Sequence, residues 1–268
     1  MKGGSLSKKL LVLLAVLLTL QACSHLPWSS KEEEGGGNGE DKGFFSFLSK
    51  KSSSEERFKK MLQNGGTAEE SRAARLGLAE AYFRDEDYEE AANAYKQYLE
   101  LHPLSPNSDY VQFKLGMCYY NLMLPPDRDQ QYTELAIQAF EKLGEVYPAS
   151  PWLPRAMMLL QECRNRLAKH DIVVGKYYYK TKQYNAALNR FRLAQTIKGI
   201  KGDVMAEALY WEGKTLEKLG QKEEAMKCYQ EVVKNYGMWE DVDKAEEAIE
   251  ELKTGKSTKK WWKVWKMW

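Results

Sequence analysis

The sequence has few of the residues, and none of the motifs, that most enzymes and metal sites require. Four cysteines and three histidines occur in 268 residues. No CxxC pair, HExxH or GxSxG motif, or glycine-rich phosphate loop is present. We therefore expect no enzymatic activity, with no catalytic residue, metal ligand or cofactor.

Charge balance and cysteine number exclude two further classes of protein. The 40 Lys and Arg residues nearly balance the 38 Asp and Glu residues, so nucleic acid is not expected as a partner. Cys118, Cys163 and Cys228 are an odd number of thiols in addition to Cys23. No disulfide scaffold is therefore expected. In an oxidising compartment at least one of the three thiols stays unpaired unless it bridges to another chain.

The first apolar run is too short to cross a membrane and ends at a cysteine. Three lysines precede the uncharged stretch Leu10–Leu20, which is followed by Ala22 and Cys23. A spanning helix needs about 20 apolar residues, whereas this order is typical of a bacterial lipoprotein signal peptide. We predict that residues 1–22 are removed and that Cys23 carries a lipid anchor; the alternative is a free structural cysteine. Ser24 stands where aspartate retains many enterobacterial lipoproteins in the inner membrane, which favours the outer membrane.

Residues 23–66 have the composition of a tether. Charged residues, glycine and serine dominate stretches such as Lys31–Gly43 and Lys50–Ser54. Such segments contain too little apolar surface to build a core. From residue 67 to 251 the chain instead shows amphipathic stretches rich in Ala, Leu, Glu and Lys, with Pro or Gly at the breaks. We expect a helical domain over that range.

One spacing occurs four times in this helical region. A small residue is followed after twelve residues by an alanine and after four more by an aromatic residue, with about eight residues inserted around Leu124–Gln131 in the second copy. The four sets are Ala79, Ala91 and Tyr95; Gly116, Ala136 and Phe140; Gly175, Ala187 and Phe191; and Gly213, Ala225 and Tyr229. This pattern is typical of the tetratricopeptide repeat, a helix pair of about 34 residues. It predicts an all-α tetratricopeptide-repeat solenoid of about four helix pairs, with an extended helix from Trp152 to about Thr181.

The same spacing identifies the positions that line the inner face of such a solenoid. In the first two repeats this face is aromatic, which indicates a groove for an extended peptide. Its residues are Phe83, Arg84, Tyr110, Phe113, Met117, Tyr120 and Asn121. In the last two repeats the equivalent positions are more charged and favour docking of a charged protein surface; they include Lys176, Tyr179, Tyr210 and Lys214. The alternative is that the aromatic residues pack only against their neighbours.

The tail, residues 252–268, is basic and rich in tryptophan. Its segment Lys259–Trp268 contains no acid and holds four of the eight tryptophans. Drawn as a helix, the segment has tryptophans on one face and lysines nearly opposite, as in an interfacial membrane helix. We predict that the tail contacts the membrane surface through Trp261, Trp262, Trp265 and Trp268. The alternative is a tail that folds onto the protein or onto a partner.

Five segments of the repeat region carry a further resemblance. They are His102–Val111, Asp127–Gln130, Tyr147–Ser150, Arg166–Lys169 and Val174–Tyr178. In this order and context they resemble the BamD family, the tetratricopeptide-repeat lipoproteins of the outer-membrane β-barrel assembly machinery. The resemblance covers roughly residues 75–235. It implies a non-enzymatic adaptor on the periplasmic face of the outer membrane.

The resemblance also implies partners and one site residue. Members of the family hold the periplasmic domains of the barrel insertase through their C-terminal repeats, assemble with other lipoproteins of the machinery, and receive unfolded outer-membrane protein peptides on their N-terminal repeats. Arg190 matches an arginine that pairs with an acidic residue of the insertase; the alternative is a solvated surface arginine. The tether replaces the first of the family's five repeats. A second hypothesis is a tetratricopeptide lipoprotein scaffold for another envelope process, such as the secretion, pilus or peptidoglycan machinery.

Overall fold

Helices account for all regular secondary structure between residues 54 and 255, the part of the chain that this computed structural model describes. Their bounds are 54–63 (α1), Ala68–Arg84 (α2), Tyr88–Leu101 (α3), Ser108–Asn121 (α4), Gln131–Val146 (α5), Leu153–Lys180 (α6), Tyr184–Thr196 (α7), Asp203–Lys218 (α8), Lys222–Asn235 (α9) and Val242–Thr254 (α10). From α2 onward each helix packs against the next one along the chain. The predicted all-α repeat solenoid is confirmed.

Close helix crossings explain the small residues of the repeat. A Cβ atom on Gly213 would lie 2.7 Å from Cε1 of Tyr229, and one on Gly116 would overlap the ring of Phe140. All twelve residues of the four predicted sets are buried. The first helix of each pair therefore approaches the second until an aromatic ring rests on its backbone. This close packing fixes the register of the pair.

The first helices of successive pairs lie side by side. They are α2, α4, the second half of α6, and α8. Lys114 on α4 lies 3.6 Å from the Glu80 carboxylate on α2, and α6 contacts both α4 and α8. In a tetratricopeptide-repeat array these helices form the inner face. The inner face is therefore built from α2, α4, α6 and α8.

The middle of the array is crossed by one uninterrupted helix. Helix α6 has 28 residues, with Trp152 as its N-cap and Thr181 as its C-cap, so the predicted extended helix is confirmed. Its first half contributes to one core cluster through Ala156, Leu160 and Cys163. Its second half contributes to another cluster through Ala168 and Ile172. One helix thus belongs to two adjacent cores.

The inserted segment between α4 and α5 is an ordered loop. Gln130 is buried, and its Nε2 donates to the carbonyl oxygens of Pro125 at 2.9 Å and Arg128 at 3.0 Å. Its Oε1 accepts a hydrogen bond from the Thr133 hydroxyl at 2.8 Å. One amide side chain thereby closes the loop on itself before α5 begins.

The structure differs from the predicted tether at residues 54–63. These residues form α1, and the ring of Phe58 lies against Gly77, where a Cβ atom would overlap it. Tyr82 donates a hydrogen bond to Glu55 at 3.1 Å, and Arg84 donates one to the Ser54 hydroxyl at 2.8 Å. The Phe58 ring at Gly77 and these two hydrogen bonds together dock this polar helix on α2. The polar composition of residues 23–66 gave no indication of the contact between Phe58 and Gly77.

Recognisable caps set the ends of the repeat region. Thr67 and Glu70 form a capping box at the start of α2, with the Thr67 backbone N–H donating to the Glu70 carboxylate at 2.8 Å. Helix α10 ends at Thr254, three residues beyond the predicted boundary at 251, and Gly255 follows with φ of 65°. A glycine in this left-handed conformation is a common helix stop.

Candidate peptide-binding and docking surfaces

The predicted groove residues lie at the C-terminal end of α2 and along α4. Phe83, Tyr110, Met117 and Tyr120 are half-buried, Arg84 and Asn121 are exposed, and Phe113 is buried with 4% of its surface accessible. Six of the seven residues therefore retain surface for contact with a ligand, and Phe113 lies beneath them.

Trp152 covers Phe113, the one buried residue of the predicted groove. Its ring stacks on Phe113 with centroids 5.3 Å apart and an interplanar angle of 17°. Its centroid also lies 5.3 Å from that of Tyr110. Trp152 precedes α6 and lies outside the repeat spacing, so the sequence pattern gave no signal for its place here. The aromatic surface thus includes a tryptophan from the next repeat.

A charged cluster adjoins the aromatic surface. The ammonium group of Lys114 lies 3.1 Å from the ring centroid of Phe83 and 3.6 Å from the carboxylate of Glu80. Tyr95 donates a hydrogen bond to the same carboxylate at 2.6 Å. Burial lowers the pKa of Lys114 and raises the pKa of Tyr110 to about 12. The surface therefore offers aromatic contact beside a partly desolvated cation.

The second half of the inner face is more aromatic than its sequence register indicated. Trp211 on α8 lies between two helices, with its centroid 6.2 Å from Phe191 on α7 and 5.4 Å from Tyr179 on α6. Lys176 lies 5.2 Å from the Trp211 ring, and Lys214 lies 5.3 Å from it. The prediction named both lysines and Tyr179 but not Trp211, which lies one position beyond the predicted Tyr210.

Arg190 lies on the second helix of its pair, α7, at a cleft lined by residues of α5, α6 and α7. Its guanidinium donates a hydrogen bond to the buried carboxylate of Asp171 on α6 at 2.9 Å, while 40% of its side chain stays accessible. The cleft has a volume of about 430 Å³. Gln131, Glu134, His170 and Leu193 line it together with this ion pair. An internal acid therefore orients Arg190 and leaves part of its guanidinium open to solvent.

Comparison with known proteins identifies the family of this chain. Residues 48–230 match the model of the family YfiO, described as outer membrane lipoprotein. The match covers more than half of the chain and every helix from α1 to α8. The chain belongs to the YfiO family.

Several curated relatives of this YfiO-family chain carry the name outer membrane protein assembly factor BamD. That of Neisseria gonorrhoeae is 29% identical over 134 residues, which are 46% of this chain and 50% of its own length. That of Caulobacter vibrioides is 27% identical over 125 residues, 47% of this chain and 41% of its own. That of Vibrio cholerae is 27% identical over 130 residues, 45% and 54%. The chain spans about half the length of the curated relatives it matches, and the resemblance to the BamD family is confirmed.

Two kinds of feature are absent from the part of the chain that the structure describes. Between residues 54 and 255, His, Cys, Asp and Glu side chains form no group of three that could hold a metal ion. In the same range no helix combines the length and the apolar character needed to cross a membrane. The predicted lipidation residue Cys23 and the tail residues Trp261, Trp262, Trp265 and Trp268 lie outside the described residues.

Proposed function

We propose that this chain is a non-enzymatic adaptor in the assembly and insertion of outer-membrane β-barrel proteins. The observation that carries the proposal is the family match over residues 48–230, together with relatives named outer membrane protein assembly factor. A repeat solenoid acts by binding, because its stacked helices present continuous surfaces to proteins and peptides. The partners are the periplasmic domains of the barrel insertase, other assembly lipoproteins and unfolded substrate peptides.

Insertase docking is assigned to Arg190 and its cleft. The arginine is oriented by Asp171 and partly open to solvent, so it can pair with a carboxylate of the partner without rearrangement. Charge-assisted bonds from a preorganised guanidinium are among the stronger contacts at interfaces. We expect an acidic residue of the insertase to share this guanidinium with Asp171.

A pull-down from detergent-solubilised outer membrane tests the docking. Removing Arg190 alone leaves the buried Asp171 carboxylate without its partner, so Arg190→Met is expected to weaken both folding and capture. The double variant Arg190→Met with Asp171→Asn removes the buried charge, and we expect it to recover stability but not capture of the insertase. Recovery of capture would show that Arg190 only stabilises the fold. Capture of a secretin or peptidoglycan synthase in place of an insertase would favour the scaffold hypothesis.

Peptide binding is assigned to the aromatic surface of α2 and α4. Its accessible residues are Phe83, Arg84, Tyr110, Met117, Tyr120 and Asn121, with Phe113 packed beneath them. Contacts between these aromatic side chains and an extended peptide bury apolar area at little entropic cost. We expect Tyr120→Ala to weaken binding of a fluorescent peptide from an unfolded barrel protein several-fold, measured by anisotropy. Tyr177→Ala on α6, which removes the same side chain from a position that is 63% exposed, is the matched control and should leave binding unchanged.

Membrane attachment is assigned to Cys23 and to the tail. A diacylated cysteine supplies most of the hydrophobic anchoring energy, and Trp261, Trp262, Trp265 and Trp268 add interfacial contact. We expect Cys23→Ser to release the protein from sedimented membranes. Against anionic vesicles, the Cys23→Ser protein should still bind weakly, and replacing the four tryptophans by serine should abolish that remaining binding. Equal vesicle binding with and without the tryptophans would assign the tail to the protein or a partner.

A further inference from the structure

Three lysines lie over aromatic rings along the inner face. Lys114 on α4 lies 3.1 Å from the ring centroid of Phe83. Lys176 on α6 lies 5.2 Å from that of Trp211, and Lys214 on α8 lies 5.3 Å from the same ring. The inner face therefore repeats an ammonium group beside an aromatic ring on three of its helices.

Two of these lysines are neutralised by the neighbouring helix of the inner face. Lys114 lies 3.6 Å from the carboxylate of Glu80, and Lys176 forms an ion pair with Glu207. Within residues 54–255, Lys214 forms no ion pair with any carboxylate. Glu217, one turn further along α8, instead accepts a hydrogen bond from Tyr229. By analogy with Lys114 and Lys176, a carboxylate is expected beside Lys214, and the described residues do not supply one.

Lys214 also loses part of its hydration. It is half-buried between aromatic side chains, and this burial lowers its pKa. Glu217 and Glu251 oppose the shift, while Lys218 and Lys244 reinforce it. A cation that is partly withdrawn from water and lacks a close counter-charge gains more from an incoming carboxylate than an exposed lysine does. A bound ligand can supply this carboxylate.

The surface beside Lys214 favours aromatic contact as well as charge. Trp211 is half-buried, and Tyr179 meets it edge-on with centroids 5.4 Å apart and an interplanar angle of 74°. Tyr210 lies on the other side, with its centroid 5.5 Å from the Lys214 ammonium group. A ligand residue next to the carboxylate can therefore bury a ring or an aliphatic chain at Trp211.

We propose that Lys214, Trp211 and Tyr179 form a subsite for an acidic residue adjacent to an aromatic or apolar residue in an extended segment of a protein partner. The subsite lies on the inner face of α6 and α8, whereas Arg190 lies on α7. It rests on the proposed function only in that the ligand is a protein segment. Failure of insertase docking at Arg190 would leave it standing.

The test compares two synthetic peptides that differ in one charge. Acetyl-Gly-Phe-Glu-Phe-Gly-amide and its Gln counterpart are titrated into the full chain, and the indole N–H signal of Trp211 is followed by NMR, assigned with Trp211→Phe. We expect the Glu peptide to bind about tenfold tighter than the Gln peptide, as for a hydrogen bond to a charged group. The preference should shrink as salt is raised.

Three variants locate the preference. Lys214→Met should abolish it, Lys214→Arg should retain it, and Lys218→Met, an exposed lysine one turn away, should leave it nearly unchanged. Circular dichroism checks that each variant stays folded, which is expected because Lys214 holds no ion pair within the described residues. Equal binding of the two peptides, absence of binding by both, or an unchanged preference in Lys214→Met would each overturn the proposal. Loss of peptide preference together with intact insertase capture would separate this subsite from the docking surface.

Discussion

A Cβ atom on Gly175 would lie 2.6 Å from Cε1 of Phe191, closer than two carbon atoms can pack. Phe191 is fully buried and cannot move away without disturbing the α6–α7 crossing. We expect Gly175→Ala to lower the free energy of unfolding by about 2 kcal/mol, because overpacking outweighs the better helix propensity of alanine.

Gly144 provides the matched control, since a Cβ there would meet only Leu153 Cδ1 at 3.4 Å. Gly144→Ala should raise the free energy of unfolding by about 0.5–1 kcal/mol. Chemical denaturation of both variants measures the two effects. A gain in stability for Gly175→Ala would mean that the repeat glycines are not there for close approach.

Phe58 is expected to hold α1 on the array. Phe58→Ala should cost about 2 kcal/mol of local stability, from the apolar area no longer buried against α2. Because the loss is local, amide hydrogen exchange should speed up in residues 54–63 while the midpoint of global unfolding changes little. Met61→Ala, which is 40% exposed on the same helix, should not change the exchange rates. A uniform increase across all helices would argue against local detachment.

The three thiols of the repeat region are expected to be unreactive in the folded protein. Cys118, Cys163 and Cys228 are all unpaired, and burial raises the pKa of each to about 12. The nucleophilic thiolate is therefore scarce at pH 8. A colourimetric thiol reagent should react with these three cysteines only after guanidinium is added. Rapid reaction of the native protein would show that one of the helices opens readily.

His102 is expected to make stability depend on pH. Its pKa is lowered from 6.5 by burial and by Arg72 and Arg75, and its Nε2 has no hydrogen-bond partner among the described residues. The unfolded chain therefore binds the proton more readily, so stability is complete above about pH 6.5 and falls as pH drops through that value. His102→Gln, which stays neutral, should show a smaller loss of unfolding free energy between pH 7.5 and pH 5.5. An equal loss in both proteins would assign the effect to other groups.

The repeat pairing was predictable because its cause is local in sequence. Ala79, Gly175 and Gly213 each stand sixteen residues before the aromatic residue of their set, and Gly116 stands twenty-four before Phe140 because of the inserted loop, so spacing identified the helix pairs. Glu212 shows where such a pattern fails. It precedes Gly213, as Leu78 precedes Ala79 and Leu115 precedes Gly116, yet it is buried and accepts hydrogen bonds from Arg192 at 2.7 Å and Gln195 at 2.6 Å. The hydrogen-bonding capacity of this buried carboxylate is satisfied by partners on another helix, α7.

The parts of the candidate surfaces that escaped prediction depend on contacts between different repeats. Trp152 at the N-cap of α6 stacks on Phe113 of α4, and Trp211 gains its neighbours from α6 and α7. A register based on single helices assigns positions but not which distant side chain covers them. Phe58 was missed for a different reason, since one ring in a polar segment gives no periodicity.

Helix α6 has a mechanical consequence. Its 28 residues extend about 42 Å at 1.5 Å per residue, and it joins two cores without an intervening loop. Because this one helix joins the two cores, the aromatic surface of α4 and the subsite at Lys214 are held at a fixed spacing. A ligand long enough to reach both gains affinity through effective concentration, and a shorter one does not. Affinity then depends on the length of the bound segment as well as on its composition.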